Sequence, residues 1–299
     1  MSKSSLLPVS LFTFFLLLVL TDSVFAQVSL RTQIEDIRGT MPADVGVSII
    51  DLQRGDTLSI NGNEHFPMQS VFKFHIGLAA LHLVDVGKLS LNQKYKVTKD
   101  DYYTSWSVLM RTYPEANVEV TLAELITWSV MNSDNIACDL LFRILGGPDK
   151  VNAFVNANGI TDVAIVATER KMHNDWNVQF TNWTTPTAMA RLLKLFYEGK
   201  ILKNESRDFL WKCMVETPNA PKRLKGMLPE GTVVARKPGT GNSNGEVIGA
   251  VNDAGILVLP DGRKIILAVF VTRAKGEFTA IEAGIAKISR AVYDHYTTH

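Results

Sequence analysis

The sequence predicts an α+β fold: an antiparallel sheet built from both ends of the chain with flanking helices, plus an inserted all-helical lobe. Three features predict it. β-branched runs divided by turn residues open the chain from Val45, similar runs close it from Thr232, and the stretch between them follows helical spacing with its own start and stop signals. Residues 27–66 and 216–299 are therefore assigned to the sheet lobe and 67–215 to the helical lobe, with the cleft between them as the expected site.

At the start, Lys3 precedes an apolar stretch from Leu6 to Leu20, and Val24-Phe25-Ala26 ends it with a signal-peptidase pattern. Residues 1–26 read as an export signal and Gln27 as the first mature residue. The stretch falls short of the ~20 residues a membrane span needs, and no cysteine follows it for lipid attachment. Val45–Asp51 and Thr57–Ile60, joined by Arg54-Gly55-Asp56, read as a hairpin. A helix is expected from Ser70 to about Val86. Thr121 and Glu124 form a capping box before the next, and Ser133-Asp134-Asn135 caps a helix from Ile136 to Leu145. Pro148 begins and Gly159 stops another, and Thr185-Pro186 opens one that runs to about Gly199. Late strands are expected at Thr232–Arg236, Glu246–Val251, Gly255–Leu259 and Lys264–Thr272, with Asn252-Asp253 and Pro260-Asp261-Gly262 as turns. One helix from about Thr279 to His295 closes the chain.

Composition narrows the function. The chain has 299 residues, 46% of them hydrophobic, enough for a full core. Its 31 Lys+Arg against 30 Asp+Glu leave a net charge of +1, with no basic footprint for nucleic acid, and loss of Lys3 and Asp22 with the leader does not change the balance. Cys138 and Cys213 are too few for a disulfide scaffold and lack the spacing of a structural zinc site, and whether they pair is left open. No cofactor is expected.

The chemistry lies in three short strings. Ser70-Val71-Phe72-Lys73 sets a hydroxyl and an amine one turn apart on a helix face, the arrangement of a nucleophile beside a base, where the helix N-terminus favours negative charge on an attacked carbonyl. A Ser-x-x-Lys occurs by chance roughly once in a chain this long, so alone it equally describes an exposed helix start. Ser133-Asp134-Asn135, expected by chance in roughly one such chain in twenty, doubles as an N-cap cluster. Lys237-Pro238-Gly239-Thr240 falls on the first late strand. The joint signal is their order, with the first on a helix, the second at a helix start in the helical lobe and the third on a strand.

With these strings the chain resembles the class A serine β-lactamases over essentially all of its mature length, most closely the extended-spectrum PER/VEB-like branch; Pro67-Met68-Gln69-Ser70 and Pro221-Lys222-Arg223-Leu224-Lys225-Gly226 also look like that branch. The resemblance implies that Ser70 attacks a lactam carbonyl, that Lys73 takes or relays its proton, and that Ser133 passes a proton to the departing nitrogen. It assigns Asn135 to the substrate's acylamide, Lys237, Thr240 and Arg223 to its carboxylate, and the N–H groups of Ser70 and Thr240 to an oxyanion hole. Within Ala167-Thr168-Glu169-Arg170-Lys171-Met172-His173, Glu169 matches the carboxylate that activates the deacylating water. Whether Glu169 or Lys73 is the base of the first step is left open. The partner implied is a small-molecule β-lactam, penicillin or cephalosporin, with no nucleic acid, no membrane anchor in the mature form and a monomeric chain, in the bacterial periplasm or secreted. The alternatives are a penicillin-binding DD-peptidase acting on cell-wall peptides, which lacks the carboxylate at the position of Glu169, and a β-lactam sensor, which would be fused to a membrane segment.

The chain departs from the family at Pro238, where threonine is usual. The proline removes a hydroxyl and an N–H, although strand alternation puts that N–H on the edge facing the cleft, outside the ladder. His173 replaces the more usual asparagine, as in the PER/VEB-like branch, and either shapes the loop around Glu169 or is a partly buried histidine. Arg236 either depresses the pKa of Lys237 or points to solvent, and Trp106 either lines the cleft rim or packs on the helical lobe.

Overall fold

The computed structural model describes residues 28–298; the export signal expected at 1–26, with Gln27, lies outside the described residues. Helix α1 (Leu30–Gly39) is capped by Ser29, which accepts from the Thr32 N–H, and turns Leu30 and Ile34 inward. The expected hairpin follows as β1 (Asp44–Asp51) and β2 (Thr57–Ile60), paired from Val47↔Ile60 to Ile50↔Thr57. Short strand β3 (Phe66–Pro67) and a 3-10 turn (Gln69–Val71) lead into α2 (Phe72–Asp85). All of α2 from Phe72 to Leu81 is buried, which marks it as the central helix of its lobe. Burial also holds the His75 imidazole at a pKa of about 4, so it stays neutral there at neutral pH.

The helical block continues with β4 (Lys94–Val97), α3 (Val108–Thr112), β5 (Val118–Thr121), α4 (Leu122–Val130), α5 (Asn135–Leu145) and α6 (Pro148–Ala157). Next come β6 (Val163–Ala164), α7 (Glu169–Asn174), a second 3-10 turn (Trp176–Phe180), β7 (Trp183–Thr184), α8 (Pro186–Tyr197) and α9 (Asn204–Val215). The capping box of Thr121 and Glu124 forms in both directions, and Pro148 and Pro186 each sit in a first helical turn. The chain ends with β8 (Val234–Thr240), β9 (Ser243–Asn244), β10 (Val247–Val258), β11 (Lys264–Lys275) and α10 (Phe278–Thr298).

The main sheet runs β2-β1-β11-β10-β8, with β9 added on β10. Strands from the two ends meet at its centre, where β1 pairs antiparallel with β11 from Asp44↔Thr272 to Asp51↔Ile265. Alternation sorts the core. Val45, Val47, Ile49, Leu267 and Val269 face α1 and α10, while Ile266, Ala268 and Phe270 join the helical core around α2. Gly46 is required by this packing, because a Cβ there would overlap the Phe66 ring.

One expectation fails. Asn252-Asp253 is no turn but the middle of the continuous strand β10, fully buried. The Asn252 amide is satisfied inside: its Nδ2 donates to the carbonyls of Pro67 (2.7 Å) and Met68 (3.1 Å), and its Oδ1 accepts from the Val271 N–H at 3.1 Å. Asp253 pairs with Arg236 at 2.8 Å. Tertiary partners here override the usual turn preference of Asn-Asp.

Candidate active site

The site begins at the N-terminus of α2. Gln69 adopts φ +48°, so the chain turns sharply before Ser70. Lys73, one turn on, is fully buried, and its ammonium donates to Ser70 Oγ (2.8 Å), Asn135 Oδ1 (2.6 Å) and the Ser133 carbonyl (3.1 Å) while contacting Glu169 Oε1 at 2.6 Å. Three segments distant in sequence therefore meet on one nitrogen.

Within Ser133-Asp134-Asn135 the capping and chemical readings divide between residues. Asp134 caps α5 through the Ala137 N–H (2.8 Å), and its other oxygen accepts from Ser107 Oγ and the Leu109 N–H, both at 2.8 Å. That frees Ser133 and Asn135 to face the cavity. Lys237 donates to Ser133 Oγ at 2.8 Å and to the Pro238 carbonyl at 3.1 Å. Burial first, then the neighbouring Lys73 ammonium, hold the Lys237 pKa well below the ordinary lysine value. Arg236 plays no part in this. It is neither a solvent-facing residue nor a neighbour that depresses Lys237, because alternation turns it to the other face of β8, where it pairs with Asp253 and donates to the Asn219 carbonyl at 2.5 Å.

Strand β8 is the sheet edge beside the nucleophile turn. The Gly241 N–H bonds the Ala250 carbonyl at 2.8 Å, so by alternation residues 239 and 237 also point at β10 while 238 and 240 point at the cleft. Pro238 thus costs the ladder nothing. Gly239 allows the close approach, since a Cβ there would lie 2.5 Å from the Met68 carbonyl oxygen. Arg223 is buried behind this edge, donating to Glu282 (3.1 Å), the Gly239 and Asn252 carbonyls (2.9 and 2.8 Å) and Thr240 Oγ1 (2.7 Å). Of its five N–H groups only one is left for anything else.

Glu169 is the first residue of α7 and is buried. Thr168 caps that helix, and Asp139 supplies further acceptors: its Oδ1 takes the Glu169 N–H (2.8 Å), and its Oδ2 takes the Arg170 N–H (3.0 Å) and Tyr103 hydroxyl (3.1 Å). Burial, then the charge of Glu169, push the Asp139 carboxyl up to about 6. Asn182 pins the loop from the other side, accepting from the Val166 and Ala167 N–H groups (2.8 and 2.9 Å) and donating to the Ala167 carbonyl (2.8 Å). Sequence reasoning missed Asp139, although it stands four residues after Asn135 on the same helix, the spacing that places two side chains on one face. Asn182 carried no such signal.

These groups surround a cavity of about 540 Å³. Ser70, Ser133, Asn135, Glu169, Arg223 and Thr240 line it, as does Pro238, while Lys73 and Lys237 lie buried beneath its floor. Trp106, 54% exposed, forms part of the rim, its indole N–H held by the Asn132 carbonyl (2.9 Å) and its ring covered by the Arg111 guanidinium at 4.4 Å. His173 is exposed on the cavity wall with its ring 5.8 Å from that of Tyr103, and is not a buried histidine. Cys138 and Cys213 are free thiols. Among the described residues no cluster of His, Cys, Asp and Glu is placed to hold a metal ion, and no helix is long and apolar enough to cross a membrane.

The model of the β-lactamase enzyme family matches residues 29–296. Among curated relatives, the β-lactamase VEB-1 of Pseudomonas aeruginosa is 42% identical over 271 residues, covering 90% of each chain. The extended-spectrum β-lactamase PER-1 of the same organism is 43% identical over 265 residues, 88% of this chain and 86% of that one. The crystal structure of a β-lactamase from Chitinophaga pinensis superposes with a TM-score of 0.88 at 42% identity, covering 89% of this chain and 99% of that one. The TLA-1 extended-spectrum β-lactamase gives the same TM-score at 41% identity, covering 89% and 98%. The chain belongs to the β-lactamase enzyme family, as one of its class A members.

Proposed function

We propose that this protein hydrolyses the amide of penicillins and cephalosporins through a Ser70 acyl-enzyme, and so confers resistance on the cell that exports it. The observation that carries the reading is the Lys73 ammonium, 2.8 Å from Ser70 Oγ and 2.6 Å from Glu169 Oε1, with both of those oxygens on residues lining one cavity. Ser70 Oγ adds to the lactam carbonyl as its proton leaves toward Lys73, acting as the neutral amine, or, through water, toward Glu169. The N–H groups of Ser70 and Thr240 stabilise the oxyanion, a contribution of about 3 kcal/mol per donor in such sites. The C–N bond then breaks as the Ser133 hydroxyl, held by Lys237, protonates the ring nitrogen and takes back from Lys73 or Glu169 the proton that Ser70 gave up, so that Glu169 is a carboxylate for the next step. Glu169 takes a proton from water, the resulting hydroxide attacks the ester, and Ser70 Oγ leaves with the proton returned to it.

Asn135 sits where an acylamide carbonyl is bound, its Nδ2 already turned to Ser105 Oγ at 2.7 Å. Thr240 and Arg223, with Lys237 beneath, hold the substrate carboxylate. The same reading keeps 1–26 as leader, 27–66 with 216–299 as the sheet lobe and 67–215 as the helical lobe, with the reaction at their seam in an exported, monomeric protein.

The test is direct. Purified residues 27–299 should turn over a chromogenic cephalosporin many times per active site and leave a D-Ala-D-Ala peptide uncut. Stoichiometric acylation without turnover, or peptide cleavage, would favour the cell-wall peptidase instead. Pro238 gives a second prediction. Its side chain lines the cavity where a threonine hydroxyl would meet the substrate carboxylate, so Pro238→Thr should lower KM by up to about tenfold, the worth of one hydrogen bond to a charged group. In steady-state kinetics kcat should rise less than KM falls; the reverse pattern refutes this account.

A further inference from the structure

We infer that Gln179 is a positioning residue for acylation, fixing through Gln69 the turn that presents Ser70 to the substrate. The inference rests on the serine acyl-enzyme reading above. Gln179 lies on the 3-10 turn Trp176–Phe180, at the far end of the loop that begins with Glu169, and is 3% exposed. Its Oε1 accepts from Gln69 Nε2 at 2.7 Å, and its own Nε2 donates to the Trp176 carbonyl at 2.7 Å. The second bond fixes which way the amide faces, so the oxygen is committed to Gln69.

The slot that holds this amide is made for it. A Cβ on Gly241 would stand 2.7 Å from Gln179 Oε1 and 3.2 Å from Gln69 Nε2, and a Cβ on Gly249 would overlap Gln179 Oε1. Gly241 follows the end of β8 and Gly249 lies on the neighbouring strand β10, and neither is needed for a left-handed backbone, since neither has positive φ. Gly249 makes room for the Gln179 amide, and Gly241 makes room both for the pair of amides and for the Ala250 backbone nitrogen, 2.7 Å from where its Cβ would stand. The same turn is tied again to the end of β8 by the Trp176 indole N–H, which donates to the Asn242 carbonyl at 3.3 Å.

What the pair holds is the backbone at Gln69. At φ +48° this residue sits in a region that residues with a Cβ enter at a cost, and the surroundings must impose it. Asn252 grips the Pro67 and Met68 carbonyls on the near side of the turn. The buried Gln69 side chain, clasped by Gln179, is the hold on the other side. Losing it lets the turn relax and moves the Ser70 N–H and Oγ relative to an attacked carbonyl, and displacements near 1 Å at such points cost rate by about 10²-fold.

The experiment compares the parent with Gln179→Ala, Gln179→Met, Gln69→Ala and the double variant Gln69→Ala/Gln179→Met. Acylation by a chromogenic cephalosporin is followed by stopped flow, with melting temperature measured for each protein. Gln179→Met fills the slot without hydrogen bonding and decides the matter if the alanine variant folds poorly. Each single change should slow acylation about ten- to a hundredfold, with pre-acylation affinity within about threefold of the parent. The double variant should be no slower than the slower single, since both break one clasp. Singles within twofold of the parent, losses that multiply in the double, or a loss confined to affinity would each overturn the assignment. Failure of the parent itself to be acylated would instead sink the underlying reaction.

Discussion

Protein carrying Glu169→Gln should take up one equivalent of a cephalosporin covalently and then hold it, deacylation slowing by about 10²- to 10⁴-fold, the span that general-base catalysis covers. Glutamine keeps the size of the side chain, so the cavity wall and the cap that Asp139 and Thr168 provide for α7 should survive. What disappears is the proton acceptor. Glu169 Oε1 touches the Lys73 ammonium but takes no well-aligned hydrogen bond from any described group, leaving a lone pair for water. Intact-mass measurement after brief mixing should show a single adduct that persists for minutes where the parent has cleared. Turnover as fast as the parent's would remove Glu169 from the mechanism. The rate at which the adduct forms answers a second question: a fall in acylation matching the fall in deacylation would make Glu169, through water, the base of the first step, whereas near-normal acylation would leave that task to Lys73.

How far the sequence anticipates this site depends on the kind of interaction involved. Periodicity and turn residues place the terminal strands in one sheet because hydrophobic alternation and local backbone preference are written residue by residue. They misplace Asn252-Asp253, since a polar pair reads as a turn unless its buried partners are known, and those partners, at Pro67, Met68, Val271 and Arg236, are far away in the chain. Helix α1 escaped notice because its buried pattern is only Leu30 and Ile34 long. At the site, the strings around Ser70, Ser133 and Lys237 are legible as chemistry because each needs fixed local spacing. Asp139, Asn182, Gln69 and Gln179 act by holding backbone from a distance, and a lone short polar residue carries no local mark of that work. Arg236 shows the same limit, since its charge suggested an effect on Lys237 that burial opposite Asp253 removes.

The Lys73→Met variant should lose both steps together, with kcat/KM falling by about 10³- to 10⁴-fold, the upper range for loss of a proton-transfer group. Its ammonium is the only cation contacting Glu169 among the described ion pairs, and it also aligns Ser70 Oγ and Asn135. Without it a buried carboxylate stands alone, and the variant should be less stable than the parent, by an amount approaching the ~3–5 kcal/mol cost of an uncompensated buried charge. Lys237 limits the loss, because part of the depression of its pKa comes from Lys73 and should lift once that charge is gone. Thermal unfolding, run beside acylation kinetics, separates the two effects. A variant as stable as the parent but inactive would mean that Glu169 had found another partner, and one that remained active would show that the ammonium only fills space between Ser70 and Glu169.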